Sequence, residues 1–307
     1  MIARYLRMIS QRFQGVWERW WFEPASRIVT ARLRVLLALV AALWFASHLR
    51  QTTWYFGESG WLRNELVDQL ISQTQEDWRS NFAWSPLWFF EGETAVVIYI
   101  YIGLLWSLVV GAGVGGRFAV AGLWLWIIGL CHRLAWAAST VEPVLAALLG
   151  YLIFEPGASM FTIRSTKNRP VSWQAAIVIS ATRAHCWLLI ATGLASQLAN
   201  PTWWQGDAVW WLAATGRSNL LATDWLRDNV LLMNGLTHLI VMVELAALIL
   251  LIPMSTRPIG VMFGLLVGCS YALLADQFLY GVTLAISLTA FCDEKLVQVI
   301  SQTNTTR

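Results

Sequence analysis

Residues 172–199 read SWQAAIVISATRAHCWLLIATGLASQLA, an apolar stretch in which Arg183 is the only Asp, Glu, Lys or Arg. Residues 230–252 form a second apolar stretch, in which Glu244 is the only charged residue. An α-helix rises about 1.5 Å per residue and the bilayer core is about 30 Å thick, so each stretch is long enough to cross a membrane. The two stretches predict an all-α fold built from membrane-spanning helices.

Arg183 and Glu244 place charges inside these two segments. If the helices run in opposite directions, Arg183 lies about eleven residues and Glu244 about eight residues from the same membrane face. A charge near the bilayer centre costs about 2.5–3.5 kcal/mol, which disfavours an unpaired one. We therefore predict that the two side chains form an ion pair, which either fixes two helices or belongs to a pocket that binds or reacts.

The composition of the whole chain indicates a polytopic membrane protein. Hydrophobic residues make up 57% of the chain, charged residues 13%, and the mean hydropathy is +0.56. These values are far from those of a soluble domain. A net charge of +3, scattered among loops, gives no basic surface for nucleic acid, and no nucleic-acid partner is expected. Eight segments are predicted to span the bilayer as a helical bundle: 28–49, 94–114, 117–135, 141–161, 172–199, 230–252, 258–274 and 278–293.

The distribution of basic residues predicts the orientation of the bundle. Short loops rich in Lys and Arg face the cytoplasm in multi-pass proteins. Such residues collect in the amino-terminal segment and in alternate turns, at Arg164, Lys167, Arg169, Arg257 and Lys295. The 50–93 loop is acidic and is assigned to the outer side. We expect an integral, multi-pass protein of a bacterial-type cytoplasmic membrane, with both termini cytoplasmic.

The helical bundle is predicted to comprise residues 27–296. The segments on either side of it are predicted to lie at the membrane surface or in water. Residues 1–26 alternate apolar and arginine positions at helical spacing, which is typical of an amphipathic helix on an anionic bilayer. Residues 1–23 are also the segment through which a protein partner would dock. Residues 297–307 form a polar cytoplasmic tail. Half of the twenty tryptophans fall in the two long outer loops, which predicts a Trp-rich outer-face layer.

Polar residues near the predicted outer face are the candidates for chemistry. His48, His132 and Arg133 end two spans, Glu142 enters the fourth, and His238 lies about one-third of the way down the sixth. Imidazole and carboxylate groups together can act as general acid and base or bind a ligand. Each histidine could equally be a hydrogen-bond donor that packs helices. No H-x-x-x-H or H-x-x-E spacing is present, so no metal site is predicted.

The order of these features resembles the horizontally transferred transmembrane domain family, relatives of the vitamin K-dependent gamma-carboxylase, over residues 27–296. The resemblance rests on an arginine-bearing first span, a long outer loop and several short sequences. These sequences are Arg27-Ile28-Val29-Thr30-Ala31-Arg32, His132-Arg133, Thr192-Gly193-Leu194-Ala195-Ser196-Gln197-Leu198, Trp203-Trp204-Gln205-Gly206, and Leu236-Thr237 with Glu244.

The resemblance implies a helical bundle whose pocket opens on the exoplasmic side and takes a quinone. In the carboxylases a lysine about six residues before the tryptophan is the base that acts on the reduced quinone, and Gln197 occupies that place here. Glutamine cannot accept a proton at useful pH, so carboxylation is not expected. Gln197 can still hydrogen-bond a quinone carbonyl or a lipid headgroup, and Trp203 belongs to the same motif.

We therefore expect a membrane protein that binds or modifies a quinone or lipid-like molecule at an exoplasmic-face pocket, with His132, Glu142 and Gln197 as candidate catalytic residues. The sequence does not decide whether the protein is an enzyme. The alternatives are a non-catalytic scaffold or partner subunit of a larger complex and, third, a small-molecule transporter.

Overall fold

The computed structural model of the protein is almost entirely helical, which confirms the all-α class. It describes residues 14–15, 17–18, 20–50, 52–56, 60, 69, 85–89, 92–133, 139–157, 171–215 and 228–292. Within these residues the only strands are two of two residues each, β1 (Ala25–Ser26) and β2 (Val171–Ser172).

The α-helices are α1 (Arg27–Leu49), α2 (Thr52–Phe56), α3 (Glu93–Ala112), α4 (Gly116–Arg133), α5 (Val141–Leu152), α6 (Trp173–Ala199), α7 (Pro201–Gln205), α8 (Ala208–Thr215), α9 (Val230–Leu250), α10 (Arg257–Leu274) and α11 (Phe278–Leu288). Short 3₁₀ turns follow at Pro86–Trp88 and Thr289–Phe291.

Each of the eight predicted spans overlaps a helix, although the span predicted at 141–161 is helical only over Val141–Leu152 among the described residues. Only five of the described helices are long and apolar enough to cross a membrane. These are α1, α3, α6, α9 and α10, with mean hydropathies between 1.4 and 2.2 over their most apolar windows. Helices α5 and α11 are apolar but short, with 12 and 11 residues. Helix α4 has 18 residues and carries Arg117 and Arg133 near its ends. A multi-pass membrane protein is supported, whereas the count of eight spans is a prediction.

The described chain divides into two compact units, where the sequence predicts one bundle. The first unit comprises Met1–Val29 with Pro170–Arg307, and the second comprises Thr30–Arg169. The predicted outer-face residues are therefore divided between two separately packed bodies.

The second unit is a bundle around the buried face of α1. Leu33, Leu37 and Ala41 recur on that face at helical spacing and are almost fully buried. Gly103 of α3 lets the helices approach, since a Cβ there would lie 2.5 Å from the Phe45 ring. The Tyr99 ring stacks on Trp126 of α4 at 4.0 Å between centroids, which joins α3 to α4.

The first unit packs α6, α9, α10 and α11 around the cluster formed by Cys186, Ile190, Ala247 and their neighbours. Gly260, Gly264 and Gly268 repeat every four residues along one face of α10 and present no side chain there. A Cβ on Gly264 would lie 2.8 Å from Leu288, and a Cβ on Gly268 would lie 3.0 Å from the carbonyl oxygen of Gly281. This glycine stripe is why α10 and α11 lie close together.

A strand pair joins the amino-terminal segment to the start of α6. Ala25 pairs with Ser172 and Ser26 with Val171, antiparallel. The prediction of one helix over residues 1–26 is therefore wrong at 25–26, because extended pairing with β2 replaces the helix after Pro24. Residues 20–22 are helical, and the Ser180 hydroxyl of α6 donates to the carbonyl oxygen of Trp20 at 2.5 Å.

Several predictions concern residues outside the described part of the chain. They include residues 1–13 of the amphipathic helix, the inner turn of Arg164, Lys167 and Arg169, Lys295, the 297–307 tail, and Trp61, Trp78, Trp84 and Trp225 of the outer loops. Among the described loop tryptophans, Trp54, Trp204 and Trp211 are exposed. The Trp-rich outer layer as a whole stays a prediction.

Candidate functional site

A buried amide–carboxylate pair is the most unusual polar feature of the first unit. The Gln197 side-chain nitrogen donates to Glu244 Oε1 at 2.8 Å. Gln197 is 5% exposed and Glu244 is 1% exposed. The bond joins the last turn of α6 to α9, fourteen residues after Val230 (244 − 230).

Local sequence explains why Gln197 lies at the end of a helix. The residue before a proline avoids the helical conformation, and Asn200, which precedes Pro201, is extended with φ −103° and ψ 124°. Asn200 then caps α7, its side-chain oxygen accepting from the backbone N–H of Thr202 at 3.1 Å. Helix α6 therefore ends at Ala199, which leaves Gln197 in its last turn.

Thr237 of α9 holds the segment after Gln197 in place. Its hydroxyl donates to the carbonyl oxygen of Gly206 at 2.7 Å, and its oxygen accepts from the Val209 backbone N–H at 3.3 Å. Gly206 has a φ of +86°, a conformation that favours glycine. The Trp-Trp-Gln-Gly stretch that carries part of the family resemblance thus packs on the helix that carries Glu244.

Tyr271 of α10 completes the cluster. Gly193, one turn before Gln197, makes room for it: a Cβ there would lie 3.1 Å from the Tyr271 hydroxyl and 3.8 Å from Glu244 Oε2. The Tyr280 ring lies edge-on to Tyr271 at 5.3 Å between centroids. We refer to Gln197, Glu244 and Tyr271 as the amide–carboxylate cluster.

Two oxygens of this cluster are buried with no hydrogen-bond partner among the described residues, Gln197 Oε1 and Glu244 Oε2. The Tyr271 hydroxyl is near enough to interact with both side chains, but no bond of good geometry reaches either oxygen. Buried polar atoms are nearly always satisfied in folded proteins, so these two have acceptor capacity for another molecule. A carboxyl group here can also take up or release a proton.

The predicted ion pair between Arg183 and Glu244 is wrong. Arg183 precedes Gln197 by fourteen residues (197 − 183), or about 21 Å along α6 at the helical rise of 1.5 Å. Because Gln197 bonds Glu244, that carboxylate lies near the opposite end of α6. The Arg183 Nε instead donates to the carbonyl oxygen of Ala290 at 2.7 Å. The prediction placed residues 172 and 252 at the same membrane face, whereas Leu251 and Ile252 lie beside Arg183, eleven residues into α6. Glu244 is therefore displaced along α6 toward Gln197.

The other predicted residues of this unit do not join the cluster through their side chains. His238 is exposed on α9, next to the buried Thr237, so the helix turns its imidazole outward. Trp203 is half-buried on α7. Neither observation supports a direct role at Glu244 for these two residues.

In the second unit Glu142 is held by two donors. Trp44 Nε1 donates to its Oε1 at 3.1 Å, and the Ser139 hydroxyl donates to its Oε2 at 2.7 Å. His48 packs on Trp44 at 4.8 Å between ring centroids and donates from Nδ1 to the Trp44 carbonyl at 2.8 Å. Unlike Glu244, this carboxylate uses both oxygens within the protein, an arrangement suited to joining α1 and α5.

Arg133 and His132 end α4 in the same unit. Arg133 is 3% exposed, and its guanidinium lies 5.8 Å from the centre of the Phe56 ring. His132 is half-buried. The predicted outer-face residues are thus divided between the two units: Gln197, Trp203 and His238 lie in the first, and His48, His132, Arg133 and Glu142 lie in the second.

Sequence reasoning missed Tyr271, Gly193, Trp44 and Ser139. Two of these residues could have been found from sequence spacing. Ser139 precedes Glu142 by three residues, which is the spacing of a capping box, and Trp44 lies one helical turn before His48. Tyr271 could not have been found in this way, because only the packing of α10 on α6 and α9 brings it to Glu244.

Comparison with protein-family models, curated proteins and solved structures finds no match to this chain. Within the part of the chain that the structure describes, no group of three or more His, Cys, Asp or Glu residues could hold a metal ion.

Proposed function

We propose that this protein is an integral membrane protein that binds a quinol or similar lipid-like molecule through the amide–carboxylate cluster. The observation that carries the proposal is the pair of buried oxygens, Gln197 Oε1 and Glu244 Oε2, that form no hydrogen bond of good geometry within the described residues, although the Tyr271 hydroxyl lies near both side chains. The resemblance to the carboxylase relatives led to the same glutamine independently of the structure.

The chemistry of the two oxygens favours a ligand with hydroxyl groups. A buried acceptor without a donor costs about 1–3 kcal/mol, and a ligand hydroxyl recovers that energy. A quinol offers two hydroxyls on an apolar ring, so it can donate to the amide oxygen and to the carboxylate.

Glu244 is the group that exchanges a proton in this proposal. A carboxylate can accept a quinol proton, and a protonated carboxyl can donate to a quinone carbonyl. Gln197 cannot act as the base, so its part is to hold Glu244 and to bind one ligand hydroxyl. Carboxylation of glutamyl peptides is therefore not proposed.

The test compares three ligands on the full chain in lipid nanodiscs: a short-chain menaquinol kept reduced, its dimethyl ether, and the oxidised quinone. We expect the quinol to bind and the ether to bind about tenfold more weakly or worse, since methylation removes both donors. Gln197→Leu and Glu244→Gln should each weaken quinol binding about five- to tenfold.

His238→Leu is the matched control, because it changes an exposed polar residue on the same helix as Glu244. It should leave quinol affinity within about twofold of the unchanged protein. Equal affinity for quinol and ether would refute the hydroxyl argument. No quinol binding at all would favour the non-catalytic subunit, which docks a partner through residues 1–23.

A further inference from the structure

A cavity in the first unit lies beside the same two helices that carry the amide–carboxylate cluster. Its volume is about 340 Å³, and the surface that it exposes is entirely apolar. Trp187 Nε1 donates to the carbonyl oxygen of Leu248 at 3.0 Å, which joins α6 to α9 next to the cavity. The walls include Ala184, Trp187 and Leu188 of α6, Leu251 and Ile252 directly after α9, and Phe291 of the last 3₁₀ turn.

Arg183 also lines the cavity, but its charged group is engaged elsewhere. The Arg183 Nε donates to the carbonyl oxygen of Ala290 at 2.7 Å, and the guanidinium lies 5.9 Å from the centre of the Phe291 ring. The part of Arg183 that borders the cavity is therefore its hydrocarbon stem. Such a surface suits a hydrocarbon group, because a polar group buried there would lose its hydrogen bonds to water.

The size of the cavity suits a chain rather than a single small group. An apolar cavity of about 150 Å³ stays dry and binds a benzene molecule, so a volume of about 340 Å³ holds a longer hydrocarbon. The cavity is partly open, and Leu188 and Ile252 on its border are exposed. A hydrocarbon chain can therefore enter it from the bilayer.

The cavity and the cluster lie along one face of α9. Leu251 follows Glu244 by seven residues (251 − 244), or two helical turns, so the two side chains share a face and lie about 10 Å apart along the helix. On α6, Leu188 precedes Gly193 by five residues (193 − 188), and a Cβ on Gly193 would lie 3.8 Å from Glu244 Oε2. The near end of the cavity is thus about two helical turns from the carboxylate.

We propose that the cavity holds the hydrocarbon tail of the ligand whose ring lies at the amide–carboxylate cluster, so that the protein selects a quinol with a long prenyl tail. This inference rests on the proposed function, because it extends the same ligand along α9. A tail of four isoprenoid units is long enough to pass from Glu244 into the cavity, whereas a tail of one unit ends short of it. Trp187 and Phe291 then pack against the tail, and close packing is what favours association inside a bilayer.

The experiment compares two menaquinols kept reduced, one with a single isoprenoid unit and one with four, on the full chain in nanodiscs of one lipid composition. We expect the four-unit quinol to bind about tenfold more tightly. Ala184→Phe fills the cavity from α6, so it should reduce this preference to about twofold or less and leave the affinity of the one-unit quinol within about twofold. Partition of each quinol into the lipid is the same for every variant, so the change in preference reports on the cavity.

Two further variants complete the test. Leu188→Ala removes an exposed wall of the cavity and should reduce the preference to about threefold, which covers the case in which Ala184→Phe does not fold. Ala112→Phe is the matched control, because Ala112 is an exposed alanine at the end of α3 in the second unit. It should leave the tenfold preference as it is.

The outcomes separate the tail site from the proposed function. Binding of both quinols with equal affinity to the unchanged protein would refute the tail site alone. A preference that survives both Ala184→Phe and Leu188→Ala would also overturn it, as would an equal loss of both quinols in these variants. Binding of neither quinol to the unchanged protein would refute the proposed function and the tail site together.

Discussion

At the scale of single residues, the hydrogen bond between Gln197 and Glu244 is the central interaction of the candidate site. The Gln197 amide nitrogen donates to one oxygen of a carboxylate that is 1% exposed. The amide oxygen of Gln197 and the other oxygen of Glu244 form no hydrogen bond of good geometry among the described residues. A carboxylate shielded from water but incompletely hydrogen-bonded is energetically costly, which indicates a use beyond packing.

The hydrogen bond makes the stability effects of these two residues interdependent. Gln197→Leu should destabilise the protein by about 1–3 kcal/mol, because Glu244 loses its donor. Adding Glu244→Leu should recover part of that loss, since no buried carboxylate remains. The measurement is a double-mutant cycle on unfolding in detergent. The pair Arg183→Leu and Glu244→Leu is the control and should be additive, given the separation along α6.

Gly193 provides a second residue-scale prediction. Gly193→Ala adds a Cβ 3.1 Å from the Tyr271 hydroxyl, so the phenol must shift by a few tenths of an ångström away from residue 193. We expect quinol affinity to fall about fivefold, measured by titration in nanodiscs. Gly235→Ala is the control on α9, where an added Cβ meets nothing within 4 Å, and its affinity should be unchanged. A similar fall in both variants would argue against a specific role for Gly193.

The sequence predicted where the helices lie, but it did not predict which parts of neighbouring helices pack together. Apolar runs located all eight predicted segments, and Pro201 marks the end of α6 because proline cannot continue a helix. The offset between α6 and α9 left no trace in hydrophobicity, because it depends on α7 and α8 packing along the first half of α9 through Thr237. The Arg183–Glu244 pair failed for that reason, while Gln197 was found through the resemblance.

The glycine stripe of α10 is tested at this scale. Gly268→Val should destabilise the first unit by about 1–3 kcal/mol, because the new side chain would meet the backbone of Gly281 on α11. Leu266→Val changes an exposed residue of the same helix and should have little effect. The measurement is thermal unfolding of the two variants in the same detergent. Equal melting temperatures would mean that α10 and α11 are not in close contact.

At the scale of the whole molecule, the amino terminus, the 162–171 turn and the turn before α10 are predicted to lie in the cytoplasm. Single cysteines at Thr166, Ser218 and Thr256, in a variant without the four native cysteines, test this arrangement. An impermeant thiol reagent on intact cells should label the Ser218 position and leave the other two unlabelled. Labelling at Thr166 would reverse the orientation.

The central claim is that a ligand hydroxyl reaches Glu244, and infrared difference spectroscopy of the full chain tests it most directly. The carboxyl band of Glu244 is the band that disappears in Glu244→Gln. On addition of the short-chain menaquinol this band should shift, because the carboxyl group gains a hydrogen bond or exchanges a proton, and the dimethyl ether should leave it in place. A band that stays unchanged while the quinol is bound would contradict the account.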